Sequence, residues 1–373
     1  MNFAFSEEQD LLRSSTSRFL ERRQSLATLR LTLEDPENFD RQAWADAAEL
    51  GWTSMLIPES YGGGSVTDQA IVDLIVLGEE LGRVLHSGPF VPTNVVADAI
   101  ATWGSDALRS EWLTPIAQGS SVAAWCLSQD GSLSPEECSV RAAGEGGTYR
   151  LNGVARFVEG ATVADVLLVK AVTDEGAVYL LVSPADDGVD VRTQQCIDLT
   201  RRFGEVKFDD VVVDTSRALS ADSIEVEERA VNLATVLQAA QAVGAADQLF
   251  ADTVAYLSER MQFGRTIASF QAIKHRIADM LISLEGMRAA THYAALALSD
   301  DFPDAQAAVS TAGSFVDETF AALCGESLQL LGGIGFTWEH DVHLYLRRAL
   351  MARELYGEPS WHRERLCALA EAV

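Results

Sequence analysis

The spacing of apolar and polar residues changes character twice along the chain. From Ser6 to about Gly119 the apolar positions recur at helical intervals. Ser6, with Glu8 and Gln9 close behind it, is placed to cap a first helix that carries Leu11, Leu12, Phe19 and Leu20 on one face. A short helix is predicted over residues 42–50, and the stretch IPESYGGGSV at 57–66 is a turn-rich break. Helical spacing resumes over 68–85, with Ile71, Leu74, Ile75 and Leu81, and Pro89 and Pro92 precede another helix through Trp103. Between about 121 and 213 the pattern is strand-like. The segment TYRLNGVARF puts Asn152-Gly153 between two β-compatible runs, which predicts a hairpin turn there. Short apolar runs at 166–169, 178–182 and 206–213 have strand length. After Asp222 the chain is helical to its end. Phe270, Ile273, Ile277, Met280, Leu281, Leu284 and Met287 recur at three and four, and a second long helix is predicted over 309–331. The pattern thus predicts a mainly α chain with a middle β domain: an N-terminal helical domain over 1–119, a β domain over 120–218 and a C-terminal helical bundle over 219–373.

Composition narrows what such a chain does. Hydrophobic residues make up 48% of the 373, enough for a sizeable core. The net charge of -27 repels nucleic acid and anionic membranes, so neither is expected as a partner. No apolar run is long enough to span a bilayer. Five cysteines, widely spaced and without a CxxC, read as reduced thiols, and the acidic start MNFAFSEEQD lacks a secretory pattern. A cytoplasmic protein is expected. His340 and His343 lie three apart beside Glu339, but no third ligand is defined; the expectation is a polar helix face and no metal. The glycines at 62–64 lack a following Lys-Ser/Thr and are read as a structural turn. His362, between charged neighbours, is expected on the surface.

Two stretches carry a specific resemblance. Residues 256–280, YLSERMQFGRTIASFQAIKHRIADM, resemble the R-x-Q-F-G and F-Q segment of the acyl-CoA dehydrogenase family. Residues 329–349, QLLGGIGFTWEHDVHLYLRRA, resemble its second C-terminal signature. The order of helical, β and helical blocks is similar too, and the resemblance runs over essentially the whole chain. It implies an acyl-CoA dehydrogenase fold whose middle domain is barrel-like and whose C-terminal part is a four-helix bundle. It also implies FAD as cofactor, an acyl-CoA thioester as substrate, a tetramer of identical or homologous subunits, a place in fatty acid or lipid metabolism, and an electron-transfer flavoprotein as acceptor. In that family FAD lies extended at a subunit interface. Arg260 matches the residue that meets the pyrophosphate, a task suited to the fixed donors of a guanidinium. Gln262, Phe263 and Gln271 match further contacts, and Gln329, Gly332 and Gly333 match the segment that approaches the adenosine half. These contributions serve the flavin held mainly by the neighbouring subunit.

Departures from the family pattern fall on the other half of the site. The family removes the α-proton of the thioester with a carboxylate while the β-hydride moves to the flavin. Its Y-E-G-T-S-like segment reads ELYGEPSWHR here, which places Tyr356 where the glutamate would be, flanked by Glu354 and Glu358. The alternative base position, on the helix before R-x-Q-F-G, falls on Ala234, followed by Thr235. The catalytic base is therefore unassigned. The flavin-facing β motif is reduced to CLSQDGSLSP, in which Ser128 and Ser134 keep hydroxyls. The W-I-T-N segment that covers the flavin ring reads FVEG, so that Phe157 keeps an aromatic surface and Glu159 replaces a hydroxyl. Residues a chain contributes to its neighbour are kept and those for its own site are eroded. That resembles the glutamate-lacking subunit of bacterial heteromeric (α2β2) acyl-CoA dehydrogenases. Three readings stay open: a dehydrogenase chain sharing FAD sites in a tetramer, a non-catalytic subunit that completes a partner's FAD site, and a non-redox acyl-CoA hydratase or dehydratase on the same fold.

Overall fold

The computed structural model describes residues 5–33, 39–127 and 138–371. Six helices come first: α1 (Glu7–Arg23), α2 (Leu26–Arg30), α3 (Arg41–Ala48), α4 (Ala70–Arg83), α5 (Phe90–Trp103) and α6 (Asp106–Ala117). Ser6 caps α1 as expected. Its hydroxyl accepts from the Gln9 amide, and the Gln9 side chain accepts from the Ser6 amide in return. Helix α4 is buried over nearly its whole length, which its continuous apolar run IVDLIVLGEELG requires.

The middle unit is a curled seven-stranded sheet. Its strands are β1 (Ala123–Cys126), β2 (Arg141–Glu145), β3 (Thr148–Glu159), β4 (Val166–Thr173), β5 (Gly176–Val182), β6 (Val189–Gln194) and β7 (Phe203–Asp214). They run in the order β1-β4-β2-β3-β7-β6, with β5 paired to β4. The hairpin turn expected at Asn152-Gly153 lies elsewhere. Strand β3 runs straight through that pair, and the turn is Gly146-Gly147, between the partners Glu145 and Thr148. Asn152-Gly153 instead forms a register shift in the pairing of β3 with β7. The Asn152 side chain there exchanges two hydrogen bonds with Asp210, satisfying the backbone that the bulge frees. A second shift between Ala155 and Val158 puts Phe157 at φ 51°.

The C-terminal unit is built on three long helices, α7 (Ser223–Glu259), α8 (Gln271–Ser299) and α9 (Ala305–Leu331), with α10 (Val342–Ala352) and α11 (Pro359–Glu371) packed on α9. Asp222 caps α7 through the Ile224 amide. Helix α7 is buried from Ala230 to Ala246 because α4 and α5 cover it on one side and α8 and α9 on the other. Small residues set the α4–α7 crossing. A Cβ on Gly82 would lie 2.0 Å from the Gln241 carbonyl oxygen, and one on Gly244 would lie 1.8 Å from that of Glu79. The largest core cluster therefore runs without a break from the first helices into the C-terminal ones. Two ion pairs tie the middle unit to the C-terminal helices. Arg348 of α10 holds Asp198 at 2.6 Å, and Lys170 of β4 holds Glu227 of α7 at 2.6 Å.

Candidate functional site

Helix α10 stops at Ala352, and the segment from it to Pro359 crosses back over the end of the sheet. Tyr356 takes φ 58° and Gly357 φ 111°. The left-handed turn is tight: a Cβ on Gly357 would meet the Trp361 ring at 2.6 Å. This conformation turns the Tyr356 ring inward, where it stacks on Trp125 of β1 with centroids 6.1 Å apart and planes 9° apart. The Tyr356 hydroxyl donates to Glu159 Oε2 at 3.3 Å. The other oxygen of Glu159 faces Arg201 Nε at 3.5 Å, and Arg201 Nη2 donates to Gln241 Oε1 of α7 at 2.6 Å. Tyr356, Glu159 and Arg201 are all buried. Among the described residues, a cavity of about 30 Å³ lies between Pro92, Trp125, Phe157, Glu159 and Tyr356, and a separate one of about 350 Å³ is lined by Arg201 with Gln194, Cys196 and Phe203. Drug-sized ligands occupy pockets of roughly 300 Å³ or more.

The residues matched to the base positions offer no base. Burial, and then the neighbouring Glu159 carboxylate, push the Tyr356 phenol well above its ordinary range, so it stays protonated at neutral pH. Ala234 sits at the buried heart of α7 with a methyl group and nothing to ionise. Thr235 beside it is buried, and its hydroxyl has no hydrogen-bond partner among the described residues. Glu354 and Glu358 both point to solvent. A buried carboxyl does lie behind the site, on Asp317 of α9. Burial raises it to about 7, with Arg201, Gln238 and Arg353 opposing the rise. Gln238 links it to the turn, donating to the carbonyls of Ala352 and Leu355. His362 departs from its expected surface position. It is 1% exposed, packed where Gly313 and Gly357 leave room for its ring, and burial followed by Arg365 lowers it to about 4. The helical spacing of α11 puts it on the face toward α9, which its charged sequence neighbours obscure.

Sequence reasoning missed Arg201, Asp198 and Arg348. Arg348 Nε holds Asp198, and its Nη2 reaches Thr200 Oγ1 at 2.6 Å and the carbonyls of Leu85 and His86. The signal was the polar cluster Asp198-Leu199-Thr200-Arg201-Arg202 directly before strand β7. A run of charges there reads as a solvated loop, whereas three of these side chains are buried.

The remaining expected residues form an exposed surface. Strands β8 (Met261–Gln262) and β9 (Arg265–Thr266) pair around Phe263-Gly264, with φ 52° and 77°. The Ile267 amide closes this hairpin onto the Arg260 carbonyl. Phe263 is 91% exposed and meets Phe270 edge to face, and the Arg265 guanidinium lies 3.9 Å from the centre of the Phe270 ring. Arg260, Gln262 and Gln271 are exposed, and Arg260 makes no ion pair among the described residues. At the end of α9, Gln329 and Gly333 are exposed and Gly332 partly so. Gly332 takes φ 63°, ψ -137°, and no atom lies within 4 Å of a Cβ built on either glycine. Ile334, Phe336 and Trp338 follow, all exposed. Ser128 and Ser134 lie outside the described residues. Among the described residues no group of three His, Cys, Asp or Glu side chains is placed to hold a metal. His340 Nδ1 instead accepts from the Val342 amide at the start of α10, and His343 stacks on Trp338. Among the described residues no helix is long and apolar enough to cross a membrane.

A helical front, a curled sheet and a helical bundle with an exposed R-x-Q-F-G hairpin define a flavoprotein oxidoreductase scaffold, and the comparisons name it. Residues 6–120 match the acyl-CoA dehydrogenase N-terminal domain, and residues 224–368 match the acyl-CoA dehydrogenase C-terminal domain. The chain is 32% identical over 323 residues to acyl-CoA dehydrogenase FadE27 of Mycobacterium tuberculosis, covering 84% of this chain and 83% of that one. It is 29% identical over 364 residues to acyl-CoA dehydrogenase IpdE2 of Mycolicibacterium smegmatis, covering 97% and 98%. In structure it is similar to a chain of the ChsE4-ChsE5 complex from Mycobacterium tuberculosis, with a TM-score of 0.89, 28% identity and coverage of 100% and 99%. The chain belongs to the acyl-CoA dehydrogenase family, whose members are FAD-dependent oxidoreductases.

The two halves of the site differ in their fit to FAD. The exposed set from Arg260 to Gly333 suits it: a free guanidinium for the pyrophosphate, amides for polar contacts, and bare glycine backbone for close approach. The buried centre does not. Tyr356 and Glu159 touch each other directly, with a cavity of about 30 Å³ beside them among the described residues.

Proposed function

We propose that this chain takes part in the α,β-dehydrogenation of an acyl-CoA thioester as one subunit of a heteromeric tetramer, and that it contributes residues to FAD held by a homologous, glutamate-bearing partner. The observation that carries this reading is the contact between Tyr356 and Glu159, set against the open exposure of Arg260, Gln262, Phe263, Gln271, Gln329, Gly332 and Gly333. Arg260 meets the pyrophosphate charge, Gln262 and Gln271 give amide contacts, Phe263 covers an apolar face, and the Gly332-Gly333 backbone faces the adenosine half. A flavin held by these residues would supply hydride-accepting chemistry, and the carboxylate that takes the α-proton would be the partner's. Tyr356 and Ala234 mark this chain's own base positions and supply none. Phe157, with Ser128 and Ser134, marks the eroded cover of its own half-site. A hydratase would need a group to activate water, and the phenol of Tyr356, held protonated, is not one. An electron-transfer flavoprotein as acceptor, a role in lipid metabolism in the cytoplasm and the three-unit division at 119 and 218 belong to the same reading. The likeness to a chain of a two-protein complex supports the heteromer.

Co-expression with a glutamate-bearing homologue tests this. A stable complex that holds flavin and oxidises an acyl-CoA, with this chain inactive alone, supports the proposal. Full activity of this chain alone refutes it.

A further inference from the structure

We infer that Glu159 and Arg201 form a pair that keeps flavin out of this chain's own half-site. The inference rests on the reading above and adds to it the residues responsible. The resemblance puts residue 159 in the ring-covering segment, at a position where the family has a hydroxyl able to donate a hydrogen bond. A carboxylate with one oxygen facing Arg201 and the other accepting from Tyr356 has no hydrogen to donate to a flavin edge. The structure shows how that carboxylate is held. Arg201, only 5% exposed, faces one oxygen of Glu159, and Tyr356 donates to the other. Arg201 is itself anchored at 2.6 Å to Gln241, on the central helix of the bundle. Its Nη1 has no hydrogen-bond partner among the described residues.

A buried pair of this kind is a poor source of stability. Desolvation offsets most of its attraction, and apolar side chains of like volume often do as well. Here it brings the end of β3, the loop before β7 and helix α7 together over the space a flavin ring would enter. Tyr356 and Trp125 close that space by stacking. The arrangement matters because the contributed set on this chain is intact. Two copies could offer each other Arg260 and the glycine segment, and would then trap FAD beside a site with no base. The Glu159–Arg201 pair makes that homomeric site unfavourable and leaves the contributed set for a partner.

The test uses the purified full chain, titrated with FAD and followed by flavin fluorescence quenching. Wild type is expected to show no saturable binding. Glu159→Thr alone strands the buried guanidinium, so the informative variant is the double substitution Glu159→Thr with Arg201→Met. That protein, with wild-type circular dichroism and a cooperative melt, is expected to bind FAD at least tenfold more tightly than wild type. Glu159→Gln with Arg201→Met, which removes both charges and keeps an amide oxygen to accept from Tyr356, is expected to lie between. Folded double variants that both bind FAD no better than wild type overturn the exclusion role and leave the heteromer reading standing. Stoichiometric FAD on the wild-type chain overturns the heteromer reading itself.

Discussion

Tyr356 and Glu159, 197 residues apart in the chain, share a buried 3.3 Å hydrogen bond at the point where a family member with its own active site would keep a base and a flavin ring apart. Removing the hydroxyl leaves Glu159 with Arg201 as its one close partner while the ring still stacks on Trp125. Tyr356→Phe is therefore expected to cost about 1.5–3 kcal/mol in urea unfolding, the range for a hydrogen bond to a charged group. Tyr356→Glu brings a second carboxylate against the first inside the protein. It is expected to cost roughly 3 kcal/mol or more and to yield no dehydrogenase activity in the isolated chain. A stable, active Tyr356→Glu chain would show the site to be open.

The Arg348–Asp198 pair joins α10 to the loop before β7, with Arg348 also holding two carbonyls at the end of α4. Arg348→Met leaves a buried carboxylate and two buried carbonyls without their donor. The expected loss is about 3–5 kcal/mol in denaturant unfolding. A loss under 1 kcal/mol would mean that the sheet and the bundle do not depend on this tie.

Three buried groups set the expected pH dependence. Asp317 is raised from 3.8 to about 7, chiefly by burial. Between those values the unfolded chain releases this proton and the folded chain keeps it, so this group's contribution falls as pH rises through the window. His362 and His86 are lowered from 6.5 to about 4 and about 3, again chiefly by burial. Below pH 6.5 the unfolded chain takes up these protons and the folded chain does not, so stability falls as pH drops. Two histidines outweigh one aspartate, and the melting temperature is expected to fall steadily from pH 6.5 toward 4. Asp317→Asn removes the opposing group. It should raise the melting temperature at pH 8, leave it little changed near pH 4, and steepen the acid loss between. Equal gains at both pH values would show that Asp317 does not titrate in this range.

Arg260 is exposed and makes no ion pair among the described residues, so Arg260→Ala is expected to leave the fold intact. In the assembled complex it should lower FAD affinity about tenfold or more, as loss of a charge-assisted contact of ~1.5–3 kcal/mol implies. The loss should shrink at high salt, where the charge contribution is screened. Unchanged flavin occupancy would remove Arg260 from the site.

Much of this architecture was legible in the sequence because period and punctuation agreed. Leu12 and Leu20 at helical spacing behind a capping Ser6 specified α1, while Leu11, expected on the same face, is 61% exposed; Asp222 marked the start of α7. The hairpin was misplaced because Asn152-Gly153 suits a bulge as well as a turn; pairing with β7 decided between them. The residues proposed to meet a partner's flavin stand out in the sequence because they fall in two short motifs, 260–271 and 329–333. The buried centre could not, since Trp125, Glu159, Arg201, Gln241 and Tyr356 come from five separate segments and meet only through packing. Nothing in the composition of Asp198-Leu199-Thr200-Arg201-Arg202 distinguishes buried charges from solvated ones.

The central claim is that this chain contributes to a flavin site and does not own one. The most direct measurement is flavin per protomer, from visible absorbance, on the chain purified alone and again with a glutamate-bearing homologue. The account predicts colourless protein alone and flavin bound once the partner is present. Near-stoichiometric flavin on the isolated chain would contradict it and return the search to a base within this chain.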